Sequence, residues 1–303
     1  MLDVRRLQVL VEIDGRGSFS AAAHALSMSQ PATSQHIASL ERETGLPLIE
    51  RGTRPVGLTE AGHVLARHAR GVLARLEAAE QEVAELAGRR QGRLRLGSFP
   101  TALATLVPPV LAEFRRRRPD VSVTVVDDHM QRLRPRLAGG ELDLALVYDD
   151  PATAAPTGDV DTVALHDDRY CAVLPSTHRL AGRRTVALRE LADETWIGGE
   201  PGSTWFRIVR RACRSVGFDP SVGLRTDDYV AIQALVAAGL GVSIMPSLAV
   251  GPAAFPTHAC AVAAPTPTRR ISIALARDGY RPPSVDTMIE ILKDAAGRRT
   301  AGA

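Results

Sequence analysis

Over the first sixty residues, apolar positions recur at helical spacing in three short runs separated by glycine and serine. Leu7, Leu10 and Val11 mark one helix, ended by Gly15 and Gly17. A second, SFSAAAHALSMS, is capped by Ser18 or Ser20 and carries Ala22 and Ala23, small enough for close helix crossing. A third runs through QPATSQHIASLERET. Ser29 is its N-cap, Pro31 falls in the first turn where a missing N–H costs nothing, and Gly45 and Pro47 mark its end. The next stretch, LPLIERGTRPVGLT (residues 46–59), alternates apolar and polar positions around Gly52 and Pro55 and predicts a small two-stranded hairpin.

Residues 59–88 contain no proline. Leu65, Ala69, Val72, Leu76, Ala79, Val83 and Leu86 step alternately by four and three, a heptad seam on a helix about 45 Å long. So narrow a stripe is buried against its own domain or against a second copy. Alanine seam positions and charged flanks favour self-pairing and predict a homodimer.

GRRQGR (residues 88–93) then reads as a linker, and beyond it strands alternate with helices. RLRLGS, VSVTVVD and LDLALVY read as strands, with helices such as LATLVPPVLAEFRRRRP between them. RYCAVLP, VGLRTD, GVSIMP and RISIALA follow as strands. Helices are expected near residues 205–216, 229–238 and 285–296, with fraying after Gly297. The alternation predicts an α/β fold on a mainly parallel sheet, divided in two.

Composition changes this picture little. At 303 residues the chain suits two or three domains, and 45% apolar with 23% charged residues is the mix of a soluble globular protein. The opening MLDVRRLQVLVEIDGRGSF carries Asp3 and further charges through its apolar run, unlike a signal peptide. No window reaches the roughly 18 apolar residues of a membrane span, so a cytoplasmic, non-membrane protein is expected.

Net charge is +3, and residues 1–92 hold 11 Arg against 11 Asp plus Glu. Any nucleic-acid contact must therefore rest on local placement rather than bulk charge. Cys171, Cys213 and Cys260 read as buried thiols. The alternative is a redox switch at Cys213, whose arginine-rich helix could lower its pKa.

His24, His36, His63 and His68 lack metal-ligand spacing. No G-x-S-x-G, P-loop, H-E-x-x-H or dinucleotide fingerprint occurs. No metal, cofactor or catalytic residue is assigned, and the chain reads as a non-enzyme.

The third helix carries the candidate chemistry. Thr33, Ile37 and Leu40 fall on one side, while Gln30, Pro31, Ser34 and Gln35 lie about a third of a turn away. Glutamine can pair bidentately with adenine, serine can bond a base or phosphate, and a helix N-terminus with the Ser29 hydroxyl suits a phosphate oxygen. The bland alternative is that these groups merely solvate an exposed helix. The neighbours favour DNA: a small-residue helix, a short turn, then a hairpin with Arg51 and Arg54 placed to enter a minor groove as a wing.

The segment SFSAAAHALSMSQPATSQHIASLERETGLPLIERGTRPVGLTEAG resembles the winged helix-turn-helix of LysR-type transcriptional regulators. Its matching elements are SFS-AA--L, SQPA-S--I--LE---G--L--R and LTEAG. The resemblance is strong over residues 1–65 and by pattern afterwards. It implies a winged helix-turn-helix (residues 1–58), a linker and dimerisation helix (59–88), and a two-lobed α/β effector domain (93–303) like type 2 periplasmic binding proteins. The first lobe would take residues 93–163 and 267–303, the second 164–266, with crossings near 163–165 and 265–267.

The implied partners are double-stranded promoter DNA, a small-molecule effector and further copies in a dimer or tetramer. Carried over by motif, Ser29, Gln30, Pro31 and Ser34 contact DNA, with Arg51 in the wing. Gln35 stands where many relatives have arginine, which removes a guanine-reading fork.

In the effector domain, GSFPTALA places Ser98, Phe99 and Thr101 between a strand end and a helix start, which suits a carboxylate or other anion. GEPGSTWF brings Ser203 and Thr204 from the opposite lobe, and the resemblance adds Asp128, His129, Tyr148 and Met245. For the serines and threonines, plain N-capping is the alternative. An intracellular solute-binding protein on the same two-lobed fold remains the rival function, although it leaves residues 1–90 unexplained.

Overall fold

The computed structural model describes residues 2–301 except 51, 53–54, 87–91, 154–159, 252–254 and 278–280. The reader begins with α1 (Val4–Arg16), capped by the Asp3 carboxylate and closed by Gly17 in the left-handed conformation. Gly15, one of the two expected stops, lies within the helix. Only glycine fits at 17. Its φ is +61°, a side chain there would overlap Pro55, and its carbonyl accepts the Val56 N–H, which pins the wing to α1.

Ser18 caps α2 (Phe19–Ala25), and Ser29 caps α3 (Gln30–Thr44), which ends at left-handed Gly45. Leu7, Leu10 and Ile13 of α1 close a small core with Ala22, Ile37, Leu40, Leu48 and Leu58. The hairpin forms with one antiparallel bridge, Ile49 to Leu58, beside the Glu50–Gly57 and Thr59–Leu48 hydrogen bonds. Arg51 and Arg54 lie outside the described residues.

The long helix is α4 (Glu60–Leu86). Its seam divides. Ala69 is buried and Leu65 half-buried in the reader's core, whereas Val72, Leu76 and Val83 are 45%, 43% and 67% exposed. The side chain of Leu86 and most of the expected linker lie outside the described residues.

The expected linker's last two residues, Gly92 and Arg93, already belong to β1 (Gly92–Ser98). The expected single helix after it is two, α5 (Pro100–Thr105) and α6 (Val107–Arg117), because Pro108 and Pro109 cannot donate within a continuous helix. β2 (Val121–Asp127), α7 (Met130–Ala138), β3 (Leu144–Asp149) and the 16-residue β4 (Val160–Pro175) follow. Then come β5 (Thr185–Val186), β6 (Trp196–Gly198), α8 (Thr204–Ser215), β7 (Val222–Arg225), α9 (Tyr229–Ala237), β8 (Ser243–Pro246) and β9 (Thr257–Val262). The last elements are β10 (Thr268–Ala276) and α10 (Pro283–Ala301), which continues past the expected fraying point.

The main sheet runs β2-β1-β3-β10-β4-β9-β5, with β8 also on β4, and β6 and β7 form a separate pair. It is mixed rather than mainly parallel. β10 lies antiparallel to β3 and β4, and β4 lies antiparallel to β8 and β9. β4 explains the difference. Through Arg169 it pairs with β10, and from Tyr170 it pairs with β8 and β9, so one strand serves two sheets.

This change of partner falls five residues after the expected crossing at 163–165, and Val163 and Leu165 still pack on the first lobe's core. Two cores result: one under β1, β3 and β10, the other around Trp196, Trp205 and Ile232.

Candidate DNA-reading face and inter-lobe site

Two places gather the candidate residues. On α3, Thr33, Ile37 and Leu40 are buried, while Ser29, Gln30, Pro31, Ser34 and Gln35 are all exposed. The Ser29 hydroxyl accepts the Ala32 N–H at 3.3 Å, a capping bond that orders the first turn. Ser20 donates to Gln30 Oε1 at 3.1 Å, so the amide presents its Nε2 group outward. The Nε2 donors match guanine O6 and N7 or thymine O4, and Oε1, which has a second lone pair beyond the one Ser20 uses, can still accept from adenine N6.

The Glu41 of the LE motif faces away from this surface. Its carboxylate accepts the Leu48 N–H at 2.8 Å and so holds the turn into the wing. Thr59 of LTEAG caps α4 through the Gly62 N–H and also donates to the Pro47 carbonyl at 2.7 Å.

The reader is tied to the rest of the chain at Arg70 of α4. Its guanidinium bonds Asp14 of α1 and lies 3.9 Å from Glu141 beyond α7. Gly140, at φ +74°, packs so close to Ala74 that a side chain there would overlap it.

The second place lies where β4 and β10 pass between the lobes. Arg269 of β10 is 1% exposed, and its partner Asp168 of β4 is wholly buried. Nε donates to Asp168 Oδ2 at 2.9 Å, Nη2 lies 2.8 Å from the same oxygen in the ion pair, and Nη2 donates to Thr101 Oγ1 at 2.7 Å. Asp168 Oδ1 accepts the Ser247 hydroxyl at 2.6 Å and the Leu248 N–H. A buried chain of bonds thus joins α5, β10, β4 and the turn after β8.

The guanidinium stacks 5.1 Å from the Phe99 ring and 4.7 Å from the Tyr148 ring. Burial works against its charge, but the surrounding tyrosine hydroxyls and Asp168 outweigh that and hold its pKa above the usual arginine range.

Of the expected effector residues, Phe99, Thr101 and Tyr148 meet at Arg269. The Ser98 hydroxyl is buried and donates to the Phe99 carbonyl, and Thr101 is turned onto Arg269. Neither hydroxyl is left facing open space. Asp128 is held by the His129 N–H and by Arg132 and Arg136. These outweigh its burial and keep its carboxyl below the usual range.

Ser203 caps α8 through the Phe206 N–H, and Thr204 accepts from Arg207. Met245 is fully buried in the second core, opposite Cys171. Arg211 of α8 makes a two-pronged ion pair with Asp150, both bonds at 2.7 Å. Gln131 of α7 donates to the Gly202 carbonyl at 3.4 Å, so the lobes are bridged at the mouth.

Arg269, Asp168, Tyr170 and Tyr229 escaped sequence reasoning. The one available signal was charge inside otherwise apolar strand patterns, HDDRYCAVL and TRRISIALA.

Residues 4–63 match the family described as bacterial regulatory helix-turn-helix protein, lysR family, and residues 87–297 match the LysR substrate binding domain. The chain belongs to the LysR family of transcriptional regulators. Two relatives at full-length scale agree. A probable hydrogen peroxide-inducible genes activator of Mycobacterium avium is 34% identical over 273 residues, covering 88% of this chain and 86% of that one. The probable HTH-type transcriptional regulator LrrA of Synechococcus elongatus is 30% identical over 296 residues, covering 97% and 98%. Full-length OxyR from Pseudomonas aeruginosa shares the fold, with TM-score 0.73, 24% identity and coverage of 98% and 95%.

In this LysR-family chain Cys213 and Cys260 are buried and Cys171 is half-buried, as the buried-thiol reading expects, and the redox alternative at Cys213 finds no support. Burial pushes that thiol up to about 12, and burial raises Cys171 and Cys260 as well. The arginines of α8 do not lower it: Arg210 and Arg214 are turned to Asp219. Among the described residues no cluster could hold a metal ion, and no helix is long and apolar enough to cross a membrane.

Proposed function

We propose that the regulator reads DNA by placing the N-terminal half of α3 in a major groove. Ser29, Gln30, Pro31, Ser34 and Gln35 would face bases and phosphates, with Arg51 and Arg54 of the wing in the adjacent minor groove. The observation that carries this reading is the division of α3, whose Thr33, Ile37 and Leu40 are buried in the core while Ser29, Gln30, Ser34 and Gln35 at its N-terminal end are exposed. Two readers are joined along the α4 seam. Val72, Leu76 and Val83 form an apolar stripe that a second copy would cover.

The effector domain divides at the strand that changes sheets. Residues 92–169 and 267–301 form one lobe and 170–266 the other, with the effector between them near Phe99, Thr101, Tyr148 and Arg269. Asp128, Ser203 and Thr204 lie toward the mouth, and Ser98 and Met245 lie behind its walls. The chain has no catalytic role and works in the cytoplasm, where its promoter DNA lies. Effector binding acts by favouring one lobe arrangement, and Arg70 passes the change to the reader through its hold on both α1 and the first lobe.

Binding-site selection from random DNA tests the groove assignment. Gln30→Ala should relax preference at one base pair by about 1–3 kcal/mol. A selected sequence unchanged by that substitution would place the reading face elsewhere.

A further inference from the structure

The reading face of α3 is supported from outside the helix. Resting on the groove assignment above, we propose that Ser20 of α2 is a positioning residue for base recognition. Its bond holds the Gln30 amide in one place over the major groove, so Gln30 reads its base pair stringently while the untethered Gln35 reads loosely.

The α2 helix has no need of the Ser20 hydroxyl for its own cap. Ser18 is the N-cap, and its hydroxyl accepts the Ala21 N–H at 3.4 Å. Ser20 is exposed in the first turn and donates to Gln30 Oε1 at 3.1 Å, ten residues along the chain. Gln30 is the first residue of α3, so the bond joins the opening turns of two successive helices.

Those helices are also fixed to each other without this bond, which makes Ser20 a firm anchor. Ala22 and Ala23 are buried, and the connecting turn doubles back at Ser27, left-handed at φ +52°. The Met28 N–H donates to the Ala23 carbonyl at 2.8 Å. Phe19, Leu26 and Met28 pack on the same core as Ile37 and Leu40.

Glutamine has three side-chain torsions, and an untethered amide can swing from one base edge to the next. An amide held beforehand gives up less freedom on binding, and it cannot follow a mismatched base. The bond occupies one lone pair of Oε1 and neither Nε2 hydrogen, so Gln30 keeps a donor and an acceptor for the groove. Among the described residues no hydrogen bond holds the Gln35 amide.

The test uses the full chain and sites selected from random DNA. Gln30→Ala identifies the base pair that Gln30 reads, and gel shifts with each of the four base pairs at that position measure discrimination. Ser20→Ala should lower discrimination there by about two- to tenfold, the worth of one hydrogen bond. The melting temperature and the affinity for unrelated DNA should not move, because Ser20 carries no charge and caps nothing. Ser20→Thr, which keeps the hydroxyl, should retain the discrimination of the parent. Once Gln30 is alanine, adding Ser20→Ala should have no further effect.

Discrimination that survives Ser20→Ala at a base pair relaxed by Gln30→Ala overturns the tether and leaves the groove assignment standing. Affinity lost evenly across all sequences, or a Ser20→Ala effect that persists in the Gln30→Ala background, also overturns it. If neither substitution changes the selected sequence, the groove assignment falls and the tether with it.

Discussion

Replacing Arg269 with methionine keeps much of the side-chain length but removes from the junction of the lobes two donated bonds, one to Asp168 and one to Thr101, and a second close ion contact with Asp168. Asp168 would retain only Ser247 and the Leu248 N–H, and its charge would be buried with no cation beside it. Both groups are essentially unexposed, so solvent screening does not soften the loss. Breaking such a pair from one side costs about 3–5 kcal/mol. In a unit of this size each kcal/mol moves the melting temperature by about 2–4 °C, which gives a drop of about 6–20 °C.

A second substitution separates charge from packing. In Arg269→Met/Asp168→Asn, the asparagine oxygen can still accept from Ser247 and Leu248 and no charge remains, so most of the loss should return. Thermal unfolding followed by circular dichroism measures both variants. A single variant within about 2 °C of the parent, or a double variant no better than the single, would refute the assignment of a desolvated charge at this point.

The other expectations are more local. Leu76→Glu, or Val72→Glu, should yield monomers by light scattering, because a charge in the seam cannot be covered by a second copy; an unchanged oligomer moves the interface off α4. In the native protein at pH 8 the thiols should alkylate far more slowly than free cysteine, since burial raises all three and disfavours the reactive thiolate. Rapid labelling of Cys213 by iodoacetamide would contradict its placement. Gly62→Ala should destabilise the reader by about 1–3 kcal/mol, because its methyl would overlap the Leu48 carbonyl oxygen and force the wing from α4. A denaturation midpoint equal to the parent's would show that the wing yields without cost.

The DNA-reading half was largely legible because its determinants are short-range. Ser18, Ser29, Gly17 and Gly45 act within one turn of the residues they cap, and the buried triad of α3 is a spacing rule. Function within that motif was less legible. Glu41 and Thr59 look like the glutamines in being polar and part of the same pattern, yet their bonds hold the wing to α3 and α4. In the effector domain most strands were recognisable by composition. The mixed sheet was not, since a strand's direction depends on which neighbour it meets, and β4 meets two sets.

Local order along the chain therefore settled the helices, their ends, the apolar stripe of α4 and most of the strands, because periodicity and capping need only near neighbours. Tertiary structure alone decided that Asp168 and Arg269, 101 residues apart, neutralise each other in the interior, and that the Tyr170 hydroxyl beside them has no hydrogen-bond partner among the described residues. Pairing across that distance leaves no periodic trace, for it depends on two strands being laid side by side by everything else that folds around them.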